Sequence, residues 1–261
     1  MGERIRNERG RPYEGSSRCL LEWGRRGAAT AAGRGDVVVI VDTLSFATAV
    51  ATATHYGAVV YPCTSEHKQA LAQQVGAVPS VRRVEVPREG RFSLSPLTFV
   101  GVEAGTRVAL SSPNGAECCR LARGCPHVVV GCLVNARAVA TRVGELVARE
   151  GLSATVLACG ERWPDAAHGE ELRVAVEDYL GAGAIISSLD LDLSPEAHVC
   201  RAAFLAVRDR LEGILLESDS GAELRAMGFA DDVRHAAQLD LYESIPVLTS
   251  EGALAPAPSI T

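Results

Sequence analysis

The chain has 261 residues, 47% of them apolar and 5% aromatic, and a formal net charge of -6. That length supports one large core or two modest ones, and the charge argues against nucleic acid as the main partner, since a polyanion binder carries a basic face. No apolar run approaches the roughly 20 residues that span a bilayer, so no membrane partner is expected.

In chain order, residues 1–18 are rich in Arg, Glu, Gly and Ser without an apolar period and read as a disordered tail. A basic nucleic-acid arm is the alternative there, but Glu3, Glu8 and Glu14 dilute it. Residues 19–23 read as a short edge strand and 24–35 as a turn with a small-residue helix. Residues 37–41, Val-Val-Val-Ile-Val, are an unbroken β-branched run. Such a run marks a strand buried on both faces, as in a parallel sheet covered by helices. Asp42, Thr43, Leu44 and Ser45 follow, then an Ala- and Thr-rich helix with Ser45 as candidate N-cap. A carboxylate at the C-terminal end of a buried strand, beside a helix start, is where open α/β sheets place their chemistry. Asp42 therefore reads as catalytic or metal-binding, with a plain turn cap as the alternative.

Residues 58–62 read as a strand, 65–75 as a helix capped by Ser65, 81–86 as an edge strand and 88–96 as a polar loop holding Ser95. Strands at 107–110, 127–130 and 154–159 each lead through a polar loop towards a helix. Helices then cover 171–188, 194–211 with Pro195 at the first helical position, a short stretch opened by the capping box of Ser220 and Glu223, and 231–239. A strand at 245–248 and a flexible tail over 251–261 close the chain. This alternation predicts a three-layer α/β/α fold on a largely parallel sheet. One compact domain over 19–250 is expected, and a two-lobed arrangement stays open.

Polar loops follow four of the strands, at 42–45, 111–115, 131–135 and 160–165. Parallel strands would bring them to one edge of the sheet. The second loop offers Ser111, Ser112, Asn114 and Gly115 at a helix start, which suits an anion. Asn114 with Glu117 could equally form a capping box at a common Asn-Gly turn. The fourth loop holds Glu161, Arg162 and Asp165. Its carboxylates are hard oxygen donors for Mg²⁺ and its guanidinium could grip an anionic oxygen pair, although a solvated loop with internal salt bridges is the alternative. Glu177 and Asp178 lie on the following helix, where adjacent positions diverge by about 100°, so at most one faces a site directly. The six histidines show no paired ligand spacing. Of the eight cysteines none forms a CxxC pair, and without a secretory pattern at the N-terminus they read as free thiols in a reducing cytoplasm. Cys118 and Cys119 open a helix, where a thiol can be activated, but no Cys-x5-Arg loop or partnered histidine accompanies them.

Val41-Asp42-x-Leu44, Pro113-Asn114-Gly115, Gly131-x-Leu133-x-Asn135-Ala136 and the loop at 160–165 occur in this order, followed by Glu177-Asp178 with Gly181-Ala182-Gly183. Ser220-Gly221, Gly228-Phe229, Asp231-Asp232-Val233 and Leu239-Asp240 continue the series. In order and spacing the chain resembles the 2-phosphosulfolactate phosphatase family, from about residue 23 to 247. It departs from that family's better-known form in having Ser45-Phe46 in place of an Arg-Ala pair, and in a shortened loop that retains only Ser95-Pro96. The resemblance implies a Mg²⁺-dependent phosphoric monoester hydrolase. Its substrate would be a small, doubly anionic phosphoester such as 2-phosphosulfolactate or another phosphorylated hydroxy acid. Asp42, Glu161 and Arg162 are the expected catalytic residues, and Asp42, Glu161, Asp178 and Glu177 the expected metal ligands. Ser45, Ser95, Ser111, Asn114, Gly115 and Asn135 are expected at the substrate, and a homo-oligomer stays open. The alternative is a catalytically retired anion-binding or interaction protein that kept the fold.

Overall fold

The β-branched run at residues 37–41 is a strand with no exposed side chain on either face. The computed structural model describes residues 18–163 and 171–257, so residues 1–17 of the expected N-terminal tail, and Asp165, lie outside the described residues. The first half comprises β1 (Arg18–Trp23), α1 (Gly24–Arg34), β2 (Val37–Val41), α2 (Phe46–His55), β3 (Val59–Cys63), α3 (Lys68–Val75), β4 (Val78–Pro79), β5 (Arg107–Ser111), α4 (Gly115–Leu121) and β6 (His127–Val130). Then follow α5 (Ala136–Glu150), β7 (Ala154–Ala158), β8 (Glu161–Arg162), β9 (Leu172–Arg173), α6 (Val176–Ser187) and β10 (Asp192–Leu193). The last part holds α7 (Pro195–Val207), α8 (Leu211–Glu217), α9 (Asp219–Ala226), α10 (Ala230–Ala236), β11 (Pro246–Leu248) and β12 (Leu254–Pro256).

The architecture is α/β, on a mixed but mostly parallel sheet of ten strands in the order β10-β1-β7-β2-β6-β11-β12-β3-β5-β4. β2 pairs in parallel with both β6 and β7. Its side chains alternate between two cores. Val37, Val39 and Val41 join the cluster built with α5 and α6, while Val38 and Ile40 join the one built with α1, α2 and α4. Burying each such side chain contributes roughly 1.5–3 kcal/mol relative to leaving it in water, which explains the unbroken apolar run.

An antiparallel hairpin, β11 and β12, is inserted between β6 and β3. It reverses the sense of the β3-β5-β4 block relative to β2 along the ladder. Twist of about 20–25° per strand step turns that block by roughly a right angle over the four steps from β2 to β3. The small helix α4 touches both β2 and β3, which would stand about 19 Å apart in a flat sheet. The sheet therefore curls, and α2 lies inside the curl. Every residue of α2 from Phe46 to Thr54 is buried, which its Ala and Thr side chains permit by their size. The buried hydroxyls of Thr48, Thr52 and Thr54 donate back to the carbonyls of Thr43, Thr48 and Val50 at 2.8–2.9 Å, so none is stranded in the core.

Several local expectations change. The edge strand expected at 81–86 is a 3-10 turn, Arg83–Glu85. There the Glu85 carboxylate accepts the main-chain amide of Arg82 at 2.8 Å, an alternative to a ladder bond. The edge position belongs to β4 instead. β1 lies inside the sheet, between β10 and β7. The helix expected from 171 starts only at Val176, because residues 172–173 pair with β8 as a small hairpin. The helix expected over 194–211 ends at Val207, and α8 is separate. Ser218, and not Ser220, caps α9, its Oγ accepting Gly221 N at 3.1 Å. Part of the expected flexible tail at 251–261 is β12, a strand in the middle of the sheet.

Candidate active site

Asp42 follows the last residue of β2 and is buried, 5% exposed. Oδ2 accepts the Gly115 amide at 2.8 Å and the Ser112 hydroxyl at 3.2 Å, while Oδ1 accepts the Phe46 amide at 3.3 Å. The strand-end aspartate thus joins the start of α2 to the start of α4. Gly115 is required there, since a Cβ would overlap the Phe46 ring and lie 2.7 Å from Asp42 Oδ2. Ser112 Oγ also accepts the amides of Asn114 and Gly115 at 3.3 and 3.1 Å. The loop residue that meets Asp42 is therefore Ser112. Ser111 is the last residue of β5, its amide bonded to Ser80 Oγ at 3.3 Å.

Asn114 Nδ2 donates to Glu161 Oε2 at 2.8 Å, bringing the loops after β5 and β7 together. Asp42, Ser112, Asn114 and Glu161 line a cavity of about 180 Å³ that also holds Ser45, Arg83, Ser220 and Glu223. Asn114 and Glu161 form in addition one wall of a second cavity, about 400 Å³, lined by Arg25, Arg26 and Arg162. Arg162, expected among the catalytic residues, lines that second cavity and not the one at Asp42.

Glu177 and Asp178, in the first turn of α6, are both buried. Asp178 accepts the Thr43 amide on Oδ1 at 2.7 Å and the Gly160 amide on Oδ2 at 2.8 Å. It is a clamp across the ends of β2 and β7. Burial pushes the Asp178 carboxyl well above the ordinary range, and the charges of Asp42 and Glu177 add to it. Asp42 is raised first by burial and then by Glu177, against its three donors. Glu161 is pushed up to about 7 by burial and by Asp42 and Glu177, with Asn114 opposing. Four acidic side chains thus crowd together, and buried like charges raise one another in this way.

On the opposite wall Arg83 enters from the 3-10 turn. Its Nε donates to Asp232 Oδ2 at 2.9 Å, and its Nη2 to Ser45 Oγ and to the Leu94 carbonyl. Ser95 Oγ donates to the other Asp232 oxygen at 2.6 Å. Ser95 thus supports the wall through Asp232. Ser45 sits at the cap position of α2 but makes no capping bond with its side chain. The residue that sequence reasoning missed is Arg83, for its partner Asp232 lies 149 positions away.

Asn135 is not at the cavity. Fully buried, it accepts the Cys132 amide at 2.9 Å and donates to the carbonyls of Ser244 at 2.9 Å and Val130 at 3.4 Å. Its amide braces main chain, which explains its place in the motif. All eight cysteines are free and buried, and burial pushes the Cys119 thiol well above its usual value, the reverse of an activated nucleophile. No helix among the described residues is long and apolar enough to cross a membrane.

The family model described as 2-phosphosulpholactate phosphatase matches residues 27–251. The chain belongs to that family. It is 33% identical over 218 residues to a probable 2-phosphosulfolactate phosphatase of Carboxydothermus hydrogenoformans, covering 80% of this chain and 84% of that protein. A probable 2-phosphosulfolactate phosphatase of Deinococcus radiodurans is 32% identical, over 82% of this chain and 88% of its own. The 2-phosphosulfolactate phosphatase of Methanothermobacter thermautotrophicus is 30% identical over 60% of this chain and 62% of its own. The matched span contains Asp42, Arg83, Ser112, Asn114 and Glu161.

Proposed function

We propose that this protein is a cytoplasmic phosphatase that hydrolyses a small phosphoester bearing at least one further acidic group, 2-phosphosulfolactate or a related phosphorylated hydroxy acid. The observation that carries the reading is the Asp42 carboxylate, oriented by Ser112 and Gly115 at a cavity that Asn114 and Glu161 close from the other side. The volume, about 180 Å³, is on the scale of a small molecule. The buried free thiols accord with a reducing compartment.

The donor chemistry fits Mg²⁺. Asp42 and Glu161 are hard oxygen donors that share a cavity. No three of the His, Cys, Asp and Glu side chains among the described residues are gathered into a ready-made cage. Mg²⁺ is commonly held by one or two carboxylates together with water and substrate phosphate. Asp42 and Glu161 would hold it, with Glu177 and Asp178 behind them, and bound there it would neutralise charge on the phosphoryl oxygens.

The chain's own groups do the rest. Ser112 and Gly115 hold Asp42 Oδ2, which leaves Oδ1, with only its 3.3 Å bond from Phe46, as the oxygen open to a ligand. Asn114 orients Glu161 and is a neutral donor at the cavity wall. Asp178 keeps the ends of β2 and β7 in register so that Asp42 and Glu161 face one space. The test is phosphate release from a panel of phosphorylated hydroxy acids with Mg²⁺ present. Activity that survives EDTA or Asp42→Asn would contradict the metal-dependent reading. Tight binding of such anions without turnover would favour the retired anion-binding protein.

A further inference from the structure

The cavity at Asp42 is acidic on one side, with Asp42, Glu161 and Glu223 in its lining. A doubly anionic guest needs a fixed cation on another wall. Among the described residues Arg83 is the one basic side chain that lines this cavity. It is held rather than loose. Its side chain is 15% exposed, Asp232 at 2% exposure takes Nε at 2.9 Å, and Ser45 and the Leu94 carbonyl share Nη2. Asp232 is in turn oriented by Ser95 Oγ at 2.6 Å. Nη2 spends both its N–H groups on Ser45 and Leu94, and Nη1 has no acceptor among the described residues, so Nη1 keeps its two N–H groups for a ligand. A guanidinium anchored through Nε and Nη2 and open at Nη1 is preorganised for a carboxylate or sulfonate oxygen.

We propose that Arg83 reads an acidic group of the substrate other than the phosphate, a carboxylate or sulfonate, and that Asp232 and Ser95 are the residues that position it. The proposal rests on the phosphatase reading above and adds the determinant of substrate class. The acidic group sits at the Ser45 and Arg83 wall, and the phosphate lies against Asp42, Ser112 and Asn114. The enzyme would then discriminate against phosphomonoesters of neutral alcohols.

The test compares phosphate release from 2-phospholactate and from its carboxamide, in wild type, Arg83→Gln and Asp232→Asn. Hydrogen bonds to a charged group convert to roughly a 10- to 100-fold preference. Wild type should favour the acid by that factor, and in Arg83→Gln the ratio of acid to carboxamide in kcat/KM should fall to near one, mainly through KM on the acid. Asp232→Asn should lower the same ratio, mainly by raising KM for the acid. A ratio of acid to carboxamide that stays at the wild-type value in Arg83→Gln overturns the proposal. Because Arg83→Gln leaves Asp232 a buried charge without its partner, the double variant Arg83→Gln with Asp232→Asn is measured beside it, with thermal melts of all three. Calorimetry with sulfolactate, the dephosphorylated form, reads the contact without turnover. Loss of binding in the double variant supports the proposal, and equal binding, or none by wild type, overturns it. Wild type that binds sulfolactate yet releases no phosphate from any ester would refute the phosphatase reading alone.

Discussion

The main-chain amide of Gly115 donates to Asp42 Oδ2 across 2.8 Å, and a Cβ on Gly115 would stand 2.7 Å from that same oxygen. One glycine therefore sets both the position of the strand-end carboxylate and the closeness of α4 to the Phe46 ring. Gly115→Ala should displace Asp42 and destabilise the fold by about 1–3 kcal/mol, the usual cost of overpacking. Urea unfolding measures the second effect and phosphate release the first. A variant with wild-type stability and turnover would show that the close approach has no role.

Asn135 should behave as a structural residue. Asn135→Ala strands the Cys132 amide and the Ser244 carbonyl, buried groups whose loss of partner costs about 1–3 kcal/mol. The folded variant should keep the wild-type KM in the phosphate-release assay. A KM raised tenfold or more at unchanged stability would return Asn135 to the substrate.

The carboxyl cluster predicts an unusual dependence of stability on pH. Glu161 is raised from its ordinary 4.5 to about 7, and Asp42 and Asp178 are raised as well. A group whose carboxyl pKa is raised on folding stabilises the protein below its unfolded value, and that contribution is lost as pH rises through the folded value. The metal-free protein should therefore melt at falling temperatures between about pH 5 and pH 8. Glu161→Gln should flatten that fall. Mg²⁺ should raise the melting temperature more at the alkaline end, where the carboxylates are charged. A melting temperature that rises with pH in EDTA would contradict the assignment of these groups.

Part of this site is legible in the sequence and part is not. Asp42 stands out because a short run made only of β-branched Val and Ile favours a strand buried on both faces, and its end is marked by the first polar residue. Asn114-Gly115 is legible as a tight turn into a helix. The Ser111 and Ser112 pair is ambiguous, since which hydroxyl faces Asp42 depends on where β5 ends. Arg82 and Arg83 pose the same difficulty. Arg82 is 79% exposed and pairs locally with Glu85, while Arg83 is half-buried and paired with Asp232, and no spacing separates adjacent arginines. Ser45 and Arg83 lie 38 positions apart, so their contact exists only in the folded chain. The strand β12 escapes sequence reasoning because its Ala and Pro composition resembles a tail, and its burial comes from β11 and β3, far away in the chain.

The Asn114 and Glu161 hydrogen bond supplies a separate check. Asn114→Ala leaves Glu161 without its only neutral donor among the described residues. The Glu161 carboxyl should then move further upward, with its titration followed by NMR. Phosphate release should fall by roughly tenfold, the value of one hydrogen bond to a charged group. An unmoved titration would detach Asn114 from Glu161 in solution.

The most direct measurement is phosphate release from 2-phosphosulfolactate by wild type and Asp42→Asn, each with Mg²⁺ and with EDTA. Asp42 acting at the phosphoryl group predicts turnover by wild type with Mg²⁺ only, and a loss of at least about a hundredfold in Asp42→Asn, the scale seen when one group that stabilises a transition state is removed. Turnover in Asp42→Asn within a few-fold of wild type, with both proteins folded, would contradict it.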